Sequence, residues 1–454
     1  MTEPQFGEPA RPSVRPATLW HFPEPERMEL SNGLGVWLFN LPGQHVISLE
    51  MCLDAPLCHE PRALEGVATL ALRCADEGTP THPGVQLAEA IEDAGAVFDG
   101  AAHASATSCG MEVPATRFGD ALNLLAEIVR TPSYDEPDVH RHVALRQAEL
   151  AQRLADPAAC ASDGLRQAIF DPSCRDARPA GGRGSTVQGI SPEDLHAWHD
   201  RWWRPAAATL ILAGQLPAEA AQVVMQAFGD WRPTPADPPI HQPARAREGE
   251  RLVWVIDRPR AVQTEIRIGA FGPDRGAPDW AALQVGTAAL GGVFGSRLNR
   301  VLREERGYTY GAHLGCLPLR RGGNLLMSTS CRTDVAAQAI TTSLELLDVR
   351  PAPLTSIETA DAINFLLGVA PLRYDTASPI ALQASAMAAA GLTCEWINQH
   401  YARLASVDAD QATQALVRHI NPSRLHIVAC GPADRLLPDL RRAGLNPEVV
   451  EPDL

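Results

Sequence analysis

The residues best suited by type and spacing to do chemistry lie in the stretch 291–311, GGVFGSRLNRVLREERGYTYG. Its pattern predicts a glycine-rich loop, a short helix and the start of a strand. Ser296 is placed to N-cap the helix. Leu298, Val301 and Leu302 repeat at i, i+3, i+4 as its apolar stripe, and Gly307 stands where a helix ends in a left-handed residue. Arg303 leaves the last turn of this helix and Tyr310 leaves the strand after it. A guanidinium and a phenol hydroxyl both donate hydrogen bonds, and can hold an oxygen that gains negative charge. The same residues also allow a plainer arrangement, a solvated face of Arg303, Glu304, Glu305 and Arg306 beside an ordinary strand tyrosine.

The elements that must position this pair follow from the hydrophobic pattern. Residues 1 to about 26 are proline-rich and polar and read as an extended arm. Leu34, Val36 and Leu38 alternate in a first strand. In 46–53, Ile47, Leu49, Met51 and Leu53 alternate with Ser48, Glu50 and Cys52, which predicts a strand with one buried face. A helix is expected over 64–77 with Gly78 as its stop, another near 86–94, a strand of small residues over 99–113, and helices around 116–130 and 137–155. Ser191-Pro192-Glu193-Asp194 reads as a capped helix start. Leu210, Ile211 and Leu212 form a buried strand.

Residues 232–250, RPTPADPPIHQPARAREGE, have the composition of a linker. The pattern then restarts. LVWVID (252–257) and QTEIRIGAF (263–271) echo the two opening strands, Trp280 and Leu283 begin a helix like 64–77, and Ser406 opens a late helix as Ser191 does. NPSRLHIVACG (421–431) matches RPAAATLILAG (204–214) in place and pattern. The same element order in 27–231 and 251–454 indicates an internal duplication. The expected fold is α+β: two homologous domains, each a mainly antiparallel sheet with helices packed on one face.

Composition bounds the function. Of 454 residues, 45% are hydrophobic and 20% charged, the balance of a core-forming globular chain. A net charge of −15 argues against a nucleic-acid partner. There is no 18-residue apolar run, so no membrane partner is expected. The N-terminus lacks the marks of a signal peptide. Ten scattered cysteines without C-x-x-C read as reduced core residues, and the expected location is cytoplasmic. Cys74, Asp76, Glu77 and His103 offer metal-ligand types without a ligand spacing. His140 and His142, at i and i+2, do not share a helix face.

The glycine-rich loop, S-R-L, L-R-E-x-R-G and the tyrosine together resemble the C-terminal half of the pitrilysin/insulinase family of zinc peptidases, the inverzincins. The resemblance runs over nearly the whole chain from about residue 28. It takes in NGLGVWLFNLPG, the G-V-A-T-L helix with Gly78-Thr79 after it, and LAEAIEDAGA. It implies that Arg303 and Tyr310 face the scissile peptide and its oxyanion, and that Gly291, Gly292 and Phe294 line the substrate chamber. The family's H-x-x-E-H carries two zinc-binding histidines and a glutamate base on one helix face. Alignment on Gly66 and Gly78-Thr79 puts Thr69, Leu72 and Arg73 at those positions. Glu149 stands where a later glutamate completes the zinc site. Leucine cannot take a proton and arginine offers no lone pair, so no metal is expected in this chain. Arg73 is expected to pair with Glu149, a guanidinium taking the place of the cation.

The resemblance implies a zinc-less subunit of a heterodimeric, processing-peptidase-like enzyme, inactive alone. A homologous partner would carry the zinc, and this chain would supply the arginine–tyrosine pair. The substrate would be a peptide added as a strand to a sheet edge, which corresponds to 98–102, FDGAA. Two alternatives stand beside it: a non-enzymatic scaffold of the same fold, and a stand-alone metallopeptidase with a displaced site.

Overall fold

Alternating apolar and β-branched residues make twelve strands in a computed structural model that describes residues 17–232 and 238–451. The first sheet contains β1 (Glu26–Glu29), β2 (Gly35–Asn40), β3 (Val46–Leu53), β4 (Phe98–Ala102), β5 (Thr107–Pro114) and β6 (Ala208–Gly214) in the order β1-β2-β6-β3-β5-β4. The second contains β7 (Val253–Asp257), β8 (Gln263–Gly272), β9 (Thr309–Pro318), β10 (Gly323–Arg332), β11 (His426–Gly431) and β12 (Glu448–Val449) in the order β12-β7-β11-β8-β10-β9. From β2 and β7 onward the two orders are the same, and so are the directions of pairing. The outer strands differ: β1 is antiparallel to β2, β12 parallel to β7. The fold is the α+β duplication expected, with β4 and β9 as equivalent edge strands.

Each half also packs a helix onto the sheet of the other. Ala377–Ala389 lies on β3 and β6, and Pro157–Ile169 lies on β8 and β11. Sequence alternation predicted a solvent face for β3, yet every residue from Ile47 to Leu53 is buried. Ser48, Glu50 and Cys52 are covered by Ala377–Ala389. Glu50 is 6% exposed. Burial pushes its carboxyl up to about 8, with Asp99 adding to the rise and hydrogen bonds from Ser385 and Ser108 opposing it. In the second sheet Ile256, Val428 and Cys430 pack against Cys160, Leu165 and Ile169.

Several boundaries differ from expectation. The helix predicted over 64–77 is Val67–Arg73, entered through Gly66 at φ 106°; it ends so that Cys74 and Ala75 turn inward and are fully buried. The single strand predicted over 99–113 is the hairpin β4–β5, closed by the bond from His103 N to Ala106 O. Ser191 caps Pro192–Trp202 with the reciprocal Asp194 bonds. Ser406 does not cap: its Oγ donates to Arg403 O at 2.8 Å, closing the preceding helix, and Asp408 caps Ala409–His419.

The N-terminal arm beyond residue 16 runs extended. Trp20 stacks on Tyr374 with centroids 5.4 Å apart, and Phe22 N donates to Asn398 Oδ1 at 2.8 Å. Residues 1–16, and 233–237 of the linker stretch, lie outside the described residues. After them Ala246 bridges Phe170.

Candidate active site

Residues 291–311 form two helical segments and a strand. Trp280–Thr287 continues as the widened turn Ala288–Gly292, so Gly291 and Gly292 end a helix rather than sit in a loop. A Cβ on Gly291 would lie 2.6 Å from Leu314 Cβ and 2.7 Å from Leu298 Cδ1, so this glycine lets the helix end approach β9. Val293–Gly295 cross over, and Arg297–Asn299 runs into the widened turn Arg300–Glu305. Ser296 occupies the N-cap position but its side chain does not cap; Ser296 Oγ accepts from Asn299 Nδ2 at 3.2 Å. Gly307 has φ 62° and closes the helix as expected.

Asn299, which the sequence reading did not single out, holds the segment together. It is 7% exposed. Its Oδ1 accepts from Ala312 N at 2.8 Å and its Nδ2 donates to Ala312 O at 3.0 Å and Val293 O at 3.2 Å. The carboxamide thus pairs with the edge strand β9 as the peptide group of a further strand would. Arg297 anchors the other side: it makes two bonds to Glu358, at 2.9 and 2.8 Å, and donates to the Ala352 and Pro353 carbonyls. Burial raises the Glu358 carboxyl, but the bonds from Arg297 and Thr355 outweigh it and leave the group at about 2.

Tyr310 points where it does because β9 carries a bulge. Ala312 pairs with Thr329 and Thr309 with Cys331, so β9 has one residue more than β10 between these pairs. Without the extra residue Tyr310 would share the inward face of Ala312 and Leu314. Instead it is 91% exposed. Thr309 and Thr329 serve the bulged backbone: Thr309 Oγ1 accepts from Gly311 N at 3.1 Å and Thr329 Oγ1 donates to Gly311 O at 2.9 Å.

Arg303 and Tyr310 line one cavity of about 390 Å3, with Phe294, Asn299, His313 and Thr329. The Arg303 guanidinium lies over the Phe294 ring, 4.2 Å from its centroid, and its Nε is 3.4 Å from Glu304 Oε1. The Tyr310 hydroxyl has no hydrogen bond among the described residues. The structure therefore brings together Arg303, Tyr310 and Phe294. Gly291 and Gly292 lie behind the cavity wall. Arg303 and Tyr310 present donors to whatever enters the cavity, whose lining also carries Arg267, His313, Ser328 and Ser330.

The other predicted constellation is on the helix Val67–Arg73. Leu72 is buried, and Thr69 and Arg73 are half-buried. Arg73 Nη1 donates to both oxygens of Glu149, at 2.7 Å each, and Arg146 Nη1 donates to Oε2 at 3.0 Å. Burial raises the Glu149 carboxyl, and the bonds and charges of Arg73 and Arg146 outweigh it, leaving the group below its ordinary value. Arg73 and Glu149 meet as expected. Thr69, Leu72 and Arg73 do not fit zinc: they offer one hydroxyl, one hydrocarbon and one cation. Glu149 spends its charge on two guanidiniums.

Among the described residues no group of three or more His, Cys, Asp or Glu is arranged to hold a metal ion. Burial pushes the Cys74 thiol up to about 12. His142 Nε2 sits 2.5 Å from Glu77 Oε1. β4, the edge strand 98–102, has its outer side unpaired among the described residues.

Comparison with known proteins agrees with the geometry. Residues 36–172 match the family Insulinase (Peptidase family M16), and residues 189–349 match Peptidase M16 inactive domain. An uncharacterized zinc protease of Mycobacterium bovis is 25% identical over 328 residues, 71% of this chain and 74% of the relative. One of Streptomyces coelicolor is 22% identical over 413 residues, 89% of each. The crystal structure of a peptidase M16 inactive domain from Pseudomonas fluorescens superposes with a TM-score of 0.82 at 23% identity, covering 90% of this chain and 98% of that one. A protease from Helicobacter pylori superposes with a TM-score of 0.83 at 14% identity, covering 91% and 100%. With both halves matched, the chain belongs to the insulinase/pitrilysin family of peptidases, M16, as a member whose first helix carries V-A-T-L-A-L-R and no H-x-x-E-H.

Proposed function

We propose that this chain is the zinc-less member of a two-chain peptidase. A homologous partner carries the metal and the base, and this chain contributes Arg303 and Tyr310 as donors to the scissile carbonyl and the oxyanion it becomes. The observation that carries the reading is the bulge in β9. It turns a large aromatic side chain out of the core, leaves its hydroxyl unpaired, and sets it in one cavity with Arg303. Exposing a tyrosine ring gains nothing for the fold, and a subunit with only a structural role has no use for it.

The substrate in this reading is a peptide or unfolded segment, laid as an added strand along an open sheet edge such as β4, with Phe294 packing against it. The cytoplasmic setting belongs to the same proposal; all ten cysteines are free thiols and seven are buried.

The test is reconstitution with a zinc-bearing homologue, one to one, on a model peptide. Tyr310→Phe removes one hydroxyl from an exposed site and leaves fold and pairing intact. The loss falls on kcat, on the order of 10²–10³-fold for one oxyanion donor. Arg303→Ala lowers kcat and also raises KM where the guanidinium binds the ground-state carbonyl. If both variant complexes cleave as fast as the parent, the shared-site reading fails and a structural role for this chain replaces it.

A further inference from the structure

A second cavity, of about 460 Å3, lies at the seam between the two halves. One side is the helix Pro157–Ile169 and the segment after it; the other is the β9–β10 hairpin and the turn after β8. Its apolar walls are Leu165 and Phe170 from the first half and Leu319 and Leu326 from the second. Four arginines reach it: Arg166, Arg175, Arg178 and Arg275.

Two of the four are fully employed. Arg175 bonds Glu60 at 2.7 Å and two backbone carbonyls. Arg178 bonds both oxygens of Glu65, at 2.7 and 2.9 Å, and two further carbonyls. The other two are not. Arg166 Nη2 stands 3.8 Å from Asp163 Oδ1, beyond hydrogen-bond reach, and the other carboxylate oxygen of Asp163 is taken by Arg153 Nε at 2.7 Å. Arg275 has no hydrogen bond or ion pair among the described residues. Burial holds both guanidiniums below their ordinary range.

The charges in and around the cavity do not balance. Arg153, Arg166, Arg175, Arg178 and Arg275 face Glu60, Glu65, Asp163 and Asp176, an excess of one positive charge. Asp176 is itself raised by burial, against the pull of its backbone and of Arg175, Arg166 and Arg178. A half-desolvated guanidinium without a partner is costly, and a single negative charge in the cavity would relieve it. A dianion would overshoot. The volume is that of a small-molecule site, and walls of leucine and phenylalanine ask for an apolar body.

We propose that this seam cavity binds an organic monocarboxylate, its charge answered by Arg166 and Arg275 and its apolar body packed on Leu165, Phe170, Leu319 and Leu326. The carboxylate could come from a small acid or from the C-terminus of a peptide ending in an apolar residue. Because the walls come from both halves, the ligand would also fasten them together. This site is separate from the Arg303–Tyr310 cavity, and its test does not require peptidase activity.

The experiment is calorimetric titration and thermal unfolding of the full chain with octanoate, N-acetyl-leucine, N-acetyl-leucinamide, and a tetrapeptide ending in leucine as free acid and as amide. At least one acid should bind and raise Tm, with its amide or a neutral analogue at least 10-fold weaker. Arg275→Gln should weaken the acid by roughly 10- to 100-fold, the range of one charge-assisted hydrogen bond, without lowering the ligand-free Tm, since Arg275 has no partner to lose and its desolvated charge is removed. Tighter binding of octanoate assigns the source to a small acid, and tighter binding of the peptide acid to a peptide C-terminus. The proposal is overturned if no acid binds at millimolar concentration, if acids and amides bind equally, or if Arg275→Gln leaves acid binding unchanged.

Discussion

Asn299 offers the sharpest test of how the candidate active site is held. Asn299→Ala removes the carboxamide that pairs with both backbone groups of Ala312. The bonds to Val293 O and Ser296 Oγ, at 3.2 Å each, are the longer ones and are left out of the sum. The Ala312 N–H and C=O cannot turn to water, because they point away from β10 into a site that Asn299 alone fills. Two net hydrogen bonds of roughly 1 kcal/mol each, and a cost of about 1 kcal/mol for leaving a buried group unpaired, give about 3 kcal/mol. Opening of β9 against the helix end should then become easier by roughly 100-fold, since 1.4 kcal/mol is about tenfold.

Hydrogen exchange at the Ala312 amide reads this directly, and urea unfolding reads the global part. Asn299→Asp sharpens the test. The carboxylate can still accept from Ala312 N, but its second oxygen meets the carbonyls of Ala312 and Val293. The folded carboxyl is therefore raised above its unfolded value. The variant is most stable below about pH 4, where the group is protonated in both states and can donate, and it loses stability as pH rises through the folded value. Exchange at Ala312 and urea midpoints unchanged in both variants would refute the surrogate-strand account.

Four further outcomes follow from the same contacts. The Arg73–Glu149 pair, with both side chains more than a third exposed, should show a coupling no larger than about 1 kcal/mol in a double-mutant cycle of Arg73→Met and Glu149→Gln; a coupling of several kcal/mol would mean the pair is far better shielded. Glu358 is depressed to about 2, so its contribution is present above the unfolded value near 4.5 and is lost as pH falls towards 2; urea titrations should show this decline, and Arg297→Met should flatten it. Glu50 is raised to about 8, so stability is intact below pH 4.5 and declines as pH rises to 8; Glu50→Gln should abolish that decline and be the more stable protein at pH 9. The halves 27–231 and 251–454, produced separately, should be insoluble and recover only when made together, because each leaves one face of its sheet uncovered; a soluble, cooperatively folded single half would contradict the cross-packing.

The duplication, the repeated order of elements along the chain and the Arg303–Tyr310 stretch were legible because they rest on local signals: alternation, caps and a motif. What escaped the sequence was decided by distant chain. Ser48, Glu50 and Cys52 read as a solvent face because alternation reports polarity, and nothing near them announces that Ala377–Ala389 will cover it. Ser406 looked like a cap because its type suits one; Asp408, two residues on, has the Gln411 partner that completes a capping box. Asn299 was hidden as one polar residue on a short helix, and only the edge strand opposite gives it meaning. The bulge at Tyr310 was equally silent. It depends on a register set by β10, and a tyrosine before a glycine does not declare its direction.

The exchange of helices between halves bears on how the chain is made. The first sheet has all its strands once Gly214 has emerged, yet its second face stays uncovered until Ala389 follows, about 175 residues later. At ~5–20 residues per second this is a wait of roughly 10–35 s. During it Ile211, Ala213 and Cys52 face water beside a carboxylate at Glu50 that is still solvated and free to ionise. That charge is a solubilising mark on an unfinished surface. When the late helix arrives the carboxyl takes up a proton and the mark disappears. A residue that costs stability in the finished protein would thus keep the half-made one in solution.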